Sequence, residues 1–277
     1  MWSVVKPHSP RWSLDVITKR GAAHQHPLQH PRAVVRHERR GIRRGVSLLP
    51  SLFTLANLFC GWSCIVYSMR GEMSMAAPFI GFAMVLDILD GRIARMTGTT
   101  SEFGLQLDSL ADLISFGMAP AVLAYAWGLA PLGRLGWAVG FLFVTAAALR
   151  LARYNIQAHT DKRYFVGLAS PSAAAIPAAT VFYYPTGLHT RPEAMLGVVM
   201  VLVPALLMVS TIRFRSFKTI DLRAKRPYTI LAALAGMIAL IVAYPHEVLL
   251  VMAYGYLASA FVGLAISRLR REVATDT

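Results

Sequence analysis

From Gly45 onward the chain divides into eight apolar segments, roughly 47–69, 73–90, 107–130, 135–157, 167–187, 194–212, 228–245 and 248–268. Each is close to the roughly 20 residues that a helix needs to cross a hydrocarbon core. Lipid offers no partners to backbone N–H and C=O groups, so such segments fold as helices, which pair those groups internally. The expected fold is therefore all-α: a polytopic transmembrane helical bundle of about eight spans. Turn-forming clusters separate the runs, among them Arg70-Gly71-Glu72, Pro131-Leu132-Gly133-Arg134 and Tyr244-Pro245-His246-Glu247. A six-span arrangement would need two segments to merge or lie flat, and 194–212 and 228–245 are the weakest of the eight. A hydrophobic content of 56% against 15% charged residues fits membrane immersion rather than a soluble domain.

The cations test this count. With both termini cytoplasmic, 25 of the 28 Lys and Arg fall on the inner side, leaving only Arg70, Arg134 and Arg191 outside. That asymmetry is the one the positive-inside rule predicts. The net charge of +14 is thus an expression of topology and of attraction to anionic membrane lipids, and it calls for no nucleic acid partner. Ten of the 28 lie in residues 1–44, which lack an apolar run and read as a basic, disordered cytoplasmic tail. His24, His26 and His30 belong to that solvated tail. Residues 45–270 form the membrane domain, and 271–277 a short C-terminal tail. The only cysteines, Cys60 and Cys64, are one turn apart in an apolar run and read as small core residues.

Against this apolar background the stretch DILDGRIARMTGTTSEFGLQLDSLAD, Asp87 to Asp112, holds four aspartates and two arginines in 26 residues. Asp87 and Asp90 are three apart at the inner end of the second segment, so they share a helical face. Asp108 and Asp112, four apart at the start of the third, do the same. The loop between them offers Thr99, Thr100 and Ser101 as caps for the next helix. Helices joined by so short a loop pack antiparallel, which brings both pairs to one depth. An ionised Asp within a span costs about 2.5 to 3.5 kcal/mol even before mutual repulsion, so four together require a cation. Arg92 and Arg95 are too few and point elsewhere. Hard divalent ions, Mg2+ or Mn2+, suit carboxylate oxygens, and a pair of them suits phosphoryl chemistry. Gly91 and Gly104, lacking a Cβ, let a ligand or a helix approach the backbone.

Asp87, Asp90, Gly91, Ala94, Arg95, Gly104, Asp108 and Asp112 match every fixed position of the signature of the CDP-alcohol phosphatidyltransferases, which this chain resembles. The resemblance implies that the four aspartates hold two divalent metals, with Asp112 also the general base on an acceptor hydroxyl. It implies that Gly91, Ala94, Arg95 and Gly104 line the nucleotide pocket of a CDP-activated lipid, that CMP is the leaving group, and that the protein is a homodimer. Thr54 and Asn57 in the first span are further candidates for nucleotide contacts.

The signature leaves the acceptor open. Along most of residues 47–218 the chain is similar to the phosphatidylserine synthase branch of the family. The similarity is carried by LPSLFTLANLFCG (Leu49 to Gly61), LDSLADLISFGMAPA (Leu107 to Ala121), ALRLARYN (Ala148 to Asn155), FVGLASPSAAA (Phe165 to Ala175) and LMVSTIRFRSFK (Leu207 to Lys218). That branch often has Pro where Ala169 stands. The implied substrates are CDP-diacylglycerol and L-serine. Arg150 and Arg153, three apart at the inner end of the fourth span, suit a serine carboxylate or a lipid phosphate. Ser115 and Asn155 are polar groups that could line the acceptor pocket. The Ser170-Pro171-Ser172 start of the fifth span reads as close packing alone. No Ser, Cys or His triad supports a covalent intermediate, so a single displacement is expected. The implied location is an inner, cytoplasmic membrane with the active site facing the cytoplasm. The alternatives are a sibling enzyme using glycerol 3-phosphate or inositol phosphate, and an ion-coupled transporter, which would spread its carboxylates over several helices.

Overall fold

A computed structural model of the protein describes residues 40–98, 101–157, 167–210 and 227–275. Residues 1–39 of the expected tail, with all five of its histidines, lie outside the described residues, as do Thr99 and Thr100. The last five residues of that expected tail, from Arg40 to Arg44, instead begin a helix. All described secondary structure is helical: α1 (Arg40–Met69), α2 (Met73–Thr97), α3 (Glu102–Asp112), α4 (Ala119–Ala124), α5 (Arg134–Gln157), α6 (Ser170–Tyr183), α7 (Arg191–Val209), α8 (Pro227–Ala243) and α9 (Pro245–Thr275). Among the described residues, five helical stretches are long and apolar enough to cross a membrane: Ser51–Met69, Met73–Thr97, Glu102–Leu132, Arg134–Ile156 and Arg191–Val209. Among the described residues the protein is all-helical, and these apolar helices make it an integral membrane protein. Each of the eight apolar runs contains a helix, although α6 spans only 14 residues.

Two boundaries differ from the apolar pattern for physical reasons. The second apolar run stops at Asp90, yet α2 continues through Arg92 and Arg95 to Thr97, because Arg, Ala and Met favour helix without needing burial. Asp87 and Asp90 thus sit inside a continuous helix rather than at its end. The third span is a single rod, Glu102–Leu132, with π-helical turns at Leu113–Met118 and Tyr125–Leu129. The first of these closes with the Ala119 N–H donating to Ile114 O, a bond five residues back. Pro120 follows at once, and a proline cannot donate to the carbonyl four residues before it, so a widened turn here re-pairs the backbone.

The helices that carry the charged residues pack around α1. α2 runs along α1, and α3 with the π-helical turn after it lies against α1 on another side. Cys64, Ala76, Ile80, Ala83, Phe116, Leu123, Ala174 and Val181 fill the space between these elements and α6. Cys60 and Cys64 are both buried within this core, as small apolar side chains would be. A second core, with Phe143, Ala147, Leu168, Val201 and Met208, joins α5 and α7 to the third rod. Small residues let the backbones close up. A Cβ on Gly61 would stand 2.5 Å from Ser115 Oγ and 2.8 Å from Ser115 Cα, so the contact between α1 and the π-helical turn requires glycine. α9 packs on α6 through Ala253 and a Thr180–Tyr254 hydroxyl pair at 2.9 Å, and α8 lies against α9.

Candidate functional site

α2 and α3 carry the four aspartates, and the short connection between them fixes both pairs at one level. Ser101 starts α3 as its N-cap, its Oγ accepting the Gly104 N–H at 3.0 Å, so the capping role falls to a residue the sequence offered for it. One carboxylate oxygen from each of Asp87, Asp90 and Asp108 lies within 4.8 Å of the other two. Asp112, one turn beyond Asp108, is close enough to interact electrostatically with all three. The two helical faces therefore do converge.

α1 supplies the third wall. Thr54 Oγ1 donates to Asp90 Oδ2 at 3.2 Å, and Asn57 Nδ2 donates to Asp112 Oδ1 at 3.2 Å. Thr54, Asn57 and Asp90 are buried, while Asp87, Asp108 and Asp112 are half-buried. Ser115 Oγ donates to Asn57 O at 2.9 Å, so the π-helical turn that follows Asp112 holds the backbone that carries Asn57. Ser115 is fully buried against Gly61 and faces α1 in this contact.

The residue set fits divalent cations. Asp108 Oδ1 is buried with no hydrogen-bond partner among the described residues, and it belongs to the carboxylate cluster itself. An oxygen in that position gains most from a cation, and oxygen donors from several carboxylates are the set that Mg2+ and Mn2+ prefer.

The other expected site residues take two kinds of position. Gly91 and Gly104 meet no neighbouring helix. A Cβ on Gly91 would come within 4 Å only of Arg95 Nη2, at 3.9 Å, and on Gly104 only of Ser101 Oγ, at 3.0 Å. Apart from those two side-chain atoms, nothing among the described residues outside each glycine's chain neighbours and its own helix backbone lies within 4 Å of the added Cβ. Ala94 is half-buried on the same helix, and Arg95 is exposed with its Nε donating to Gly91 O at 2.8 Å. On α5, Arg150 lies within electrostatic range of Asp112 and Asp87 and of Tyr154 and Tyr256. Its Nη1 donates to Ser170 Oγ at 2.7 Å. Arg153 points instead to the end of α7, with Nη2 donating to Val209 O at 3.2 Å. Asn155 Nδ2 donates to Ser109 Oγ at 2.9 Å, and Ser109 in turn donates to Leu105 O at 3.0 Å, which ties α5 to α3. Sequence reasoning had no place for Ser109 and assigned Ser170 to close packing alone, whereas the Ser170 hydroxyl accepts from Arg150. Both are serines in helical segments, a residue type whose hydroxyl often bonds only its own turn.

Comparison with known proteins agrees with this arrangement. Residues 47–265 match the CDP-alcohol phosphatidyltransferase family, with all four aspartates inside the matched region. A CDP-diacylglycerol–serine O-phosphatidyltransferase of Helicobacter pylori is 39% identical over 184 residues, covering 64% of this chain and 76% of that protein. One from Mycobacterium leprae is 30% identical over 224 residues, covering 78% of this chain and 74% of its own. An archaetidylserine synthase of Methanothermobacter thermautotrophicus is 35% identical over 168 residues, covering 60% and 69%. The aspartate pairs of α2 and α3, the α1 side chains that hold them and a match over residues 47–265 make the chain a member of the CDP-alcohol phosphatidyltransferase family.

Proposed function

We propose that this protein is a CDP-diacylglycerol–serine O-phosphatidyltransferase. The observation that carries the reading is the convergence of Asp87, Asp90 and Asp108 within 4.8 Å, with Asp112 beside them, in a chain whose relatives bear that name. Asp87, Asp90, Asp108 and Asp112 would hold two ions of Mg2+ or Mn2+. When bound, the ions neutralise charge on the diphosphate and on departing CMP. Gly91, Ala94, Arg95 and Gly104 would offer the nucleotide backbone and a cation, and Thr54 and Asn57, candidates for nucleotide contacts, hold Asp90 and Asp112 from α1.

Asp112 is the general base. Asn57 holds one of its oxygens, Oδ1, which leaves Oδ2 to take the proton from the serine hydroxyl. The serine oxygen then attacks the phosphorus that carries the diacylglycerol. A bond forms from that oxygen to phosphorus, the bond from the same phosphorus to the CMP oxygen breaks, and the proton rests on Asp112 until water removes it. Arg150 faces the aspartates from α5 and binds the serine carboxylate. Ser115, Arg153 and Asn155 instead donate to Asn57 O, Val209 O and Ser109 Oγ respectively and hold the surrounding helices together.

The cation asymmetry of the sequence supports eight spans with both termini cytoplasmic, an inner-membrane location and a site open to the cytoplasm, where serine is available. Family resemblance supports a homodimer. Purified protein in detergent, given CDP-diacylglycerol and Mn2+, is expected to release CMP with serine and not with glycerol 3-phosphate or inositol phosphate. CMP release driven by either phosphorylated acceptor, with serine inert, would replace the assignment by a sibling activity.

A further inference from the structure

Arg150 reaches from α5 to the first residue of α6, where its Nη1 donates to Ser170 Oγ at 2.7 Å. Ser170 is completely buried. A serine at a helix start ordinarily turns its hydroxyl back onto its own first turn. Here it does not do so. The N-cap of α6 is Ala169, which makes no side-chain cap, and the first turn is closed by the backbone bond from Ala173 N to Ala169 O at 2.9 Å. The hydroxyl is turned to a side chain 20 residues away.

The placement is electrostatically awkward. A helix N-terminus carries a partial positive charge of about half an elementary charge, and a guanidinium is an unfavourable neighbour for it. Asp112 and Asp87 attract the same guanidinium. Between a repelling helix end and two attracting carboxylates, one short hydrogen bond sets the direction of the planar fork.

Ser170 is itself held in place. Gly167 has φ of +87°, and a Cβ there would stand 2.5 Å from Met208 O, so the chain can dock at this point only as glycine. The next residue, Leu168, donates its N–H to Leu207 O at 3.1 Å. Arg153, three residues after Arg150, donates to Val209 O in the same turn of α7. The segment entering α6 and the end of α5 are therefore both fastened to the end of α7, which fixes Ser170 relative to the helix that carries Arg150.

We propose that Ser170 is a positioning residue for the acceptor. It aims Arg150 so that the remaining guanidinium N–H groups meet the serine carboxylate, and it acts through Arg150 without touching substrate. The inference rests on the assignment of Arg150 to that carboxylate and names what orients it.

The test is steady-state CMP release by the full-length protein in detergent, titrating serine and CDP-diacylglycerol separately, for the wild type, Ser170→Ala, Arg150→Lys and the double variant. Ser170→Ala is expected to raise the KM for serine about tenfold, the scale of a lost hydrogen bond to a charged group. The kcat and the KM for CDP-diacylglycerol should stay within about twofold, as loss of uniform acceptor binding requires. Arg150→Lys should raise the serine KM at least as much, and the double variant should be no worse than Arg150→Lys, because one residue works through the other. If Arg150→Lys raises the serine KM while Ser170→Ala leaves it unchanged, the positioning role is wrong and the Arg150 assignment stands. If Arg150→Lys leaves the serine KM unchanged, the assignment fails and the inference with it. Additive effects in the double variant, or a Ser170→Ala defect spread equally over kcat and both KM values, would also overturn the proposal.

Discussion

Asn57 Nδ2 donates to Asp112 Oδ1 at 3.2 Å, linking the first span to the last of the four aspartates across 55 residues of sequence. One turn earlier on the same helix, Thr54 holds Asp90. α1 thus contributes no carboxylate to the site but grips one from each aspartate pair. Its two polar side chains decide how the quartet is presented to cations and substrate.

If Asn57 orients the general base, Asn57→Leu should lower kcat about a hundredfold, near the lower end of what general base catalysis contributes. The KM values for serine and CDP-diacylglycerol should change far less. Initial rates over both substrates separate the two effects; a change confined to KM would contradict this role for Asn57.

Thr54→Val keeps the shape of the side chain and removes the donor to Asp90. Partners one layer out from a metal typically alter its affinity by about 10- to 100-fold when removed. The Mn2+ concentration giving half-maximal CMP release should therefore rise about tenfold, with activity largely recovered at saturating metal. A metal titration of the variant checks this.

Gly61 sits where α1 and the π-helical turn touch, and the added methyl of Gly61→Ala would fall 2.5 Å from Ser115 Oγ. Overpacking of this kind costs about 1 to 3 kcal/mol. The variant should show a lower Tm in detergent than the wild type. Because Ser115 also holds the Asn57 carbonyl, activity should fall together with stability.

Arg153→Gln removes the side-chain donor from Val209 O at the end of α7. A hydrogen bond from a charged group is worth about 1.5 to 3 kcal/mol. Its main effect should be a lower Tm, with a smaller change in serine KM than Arg150→Lys produces. Thermal unfolding and serine titrations of both variants distinguish the two arginines.

The aspartate quartet was legible because its parts are local: spacings of three and four residues set each face, and a short loop sets the pairing of faces. The helices were legible from their apolar lengths. The opening of α7 also carried a local signal, Thr190-Arg191-Pro192-Glu193, which forms a capping box and places the helix start at Arg191, three residues before the apolar run. What the sequence did not disclose depends on how helices rotate about one another. The Arg150–Ser170 and Asn155–Ser109 bonds join residues 20 and 46 apart, and no periodicity specifies such pairs. Nor does hydropathy reveal a π-helical turn, since widening one turn leaves composition unchanged. Pro120 was the available clue, but it predicts an unpaired carbonyl without saying how the chain repairs it.

The central claim is that Asp87, Asp90, Asp108 and Asp112 form one divalent cation site serving phosphatidyl transfer. Mn2+ binding to the purified protein, counted by electron paramagnetic resonance of free ion, tests it without relying on turnover. Two ions per chain are predicted for the wild type, with clear loss in Asp87→Asn and Asp108→Asn variants whose Tm matches the wild type. Undiminished Mn2+ binding in both variants would contradict the account.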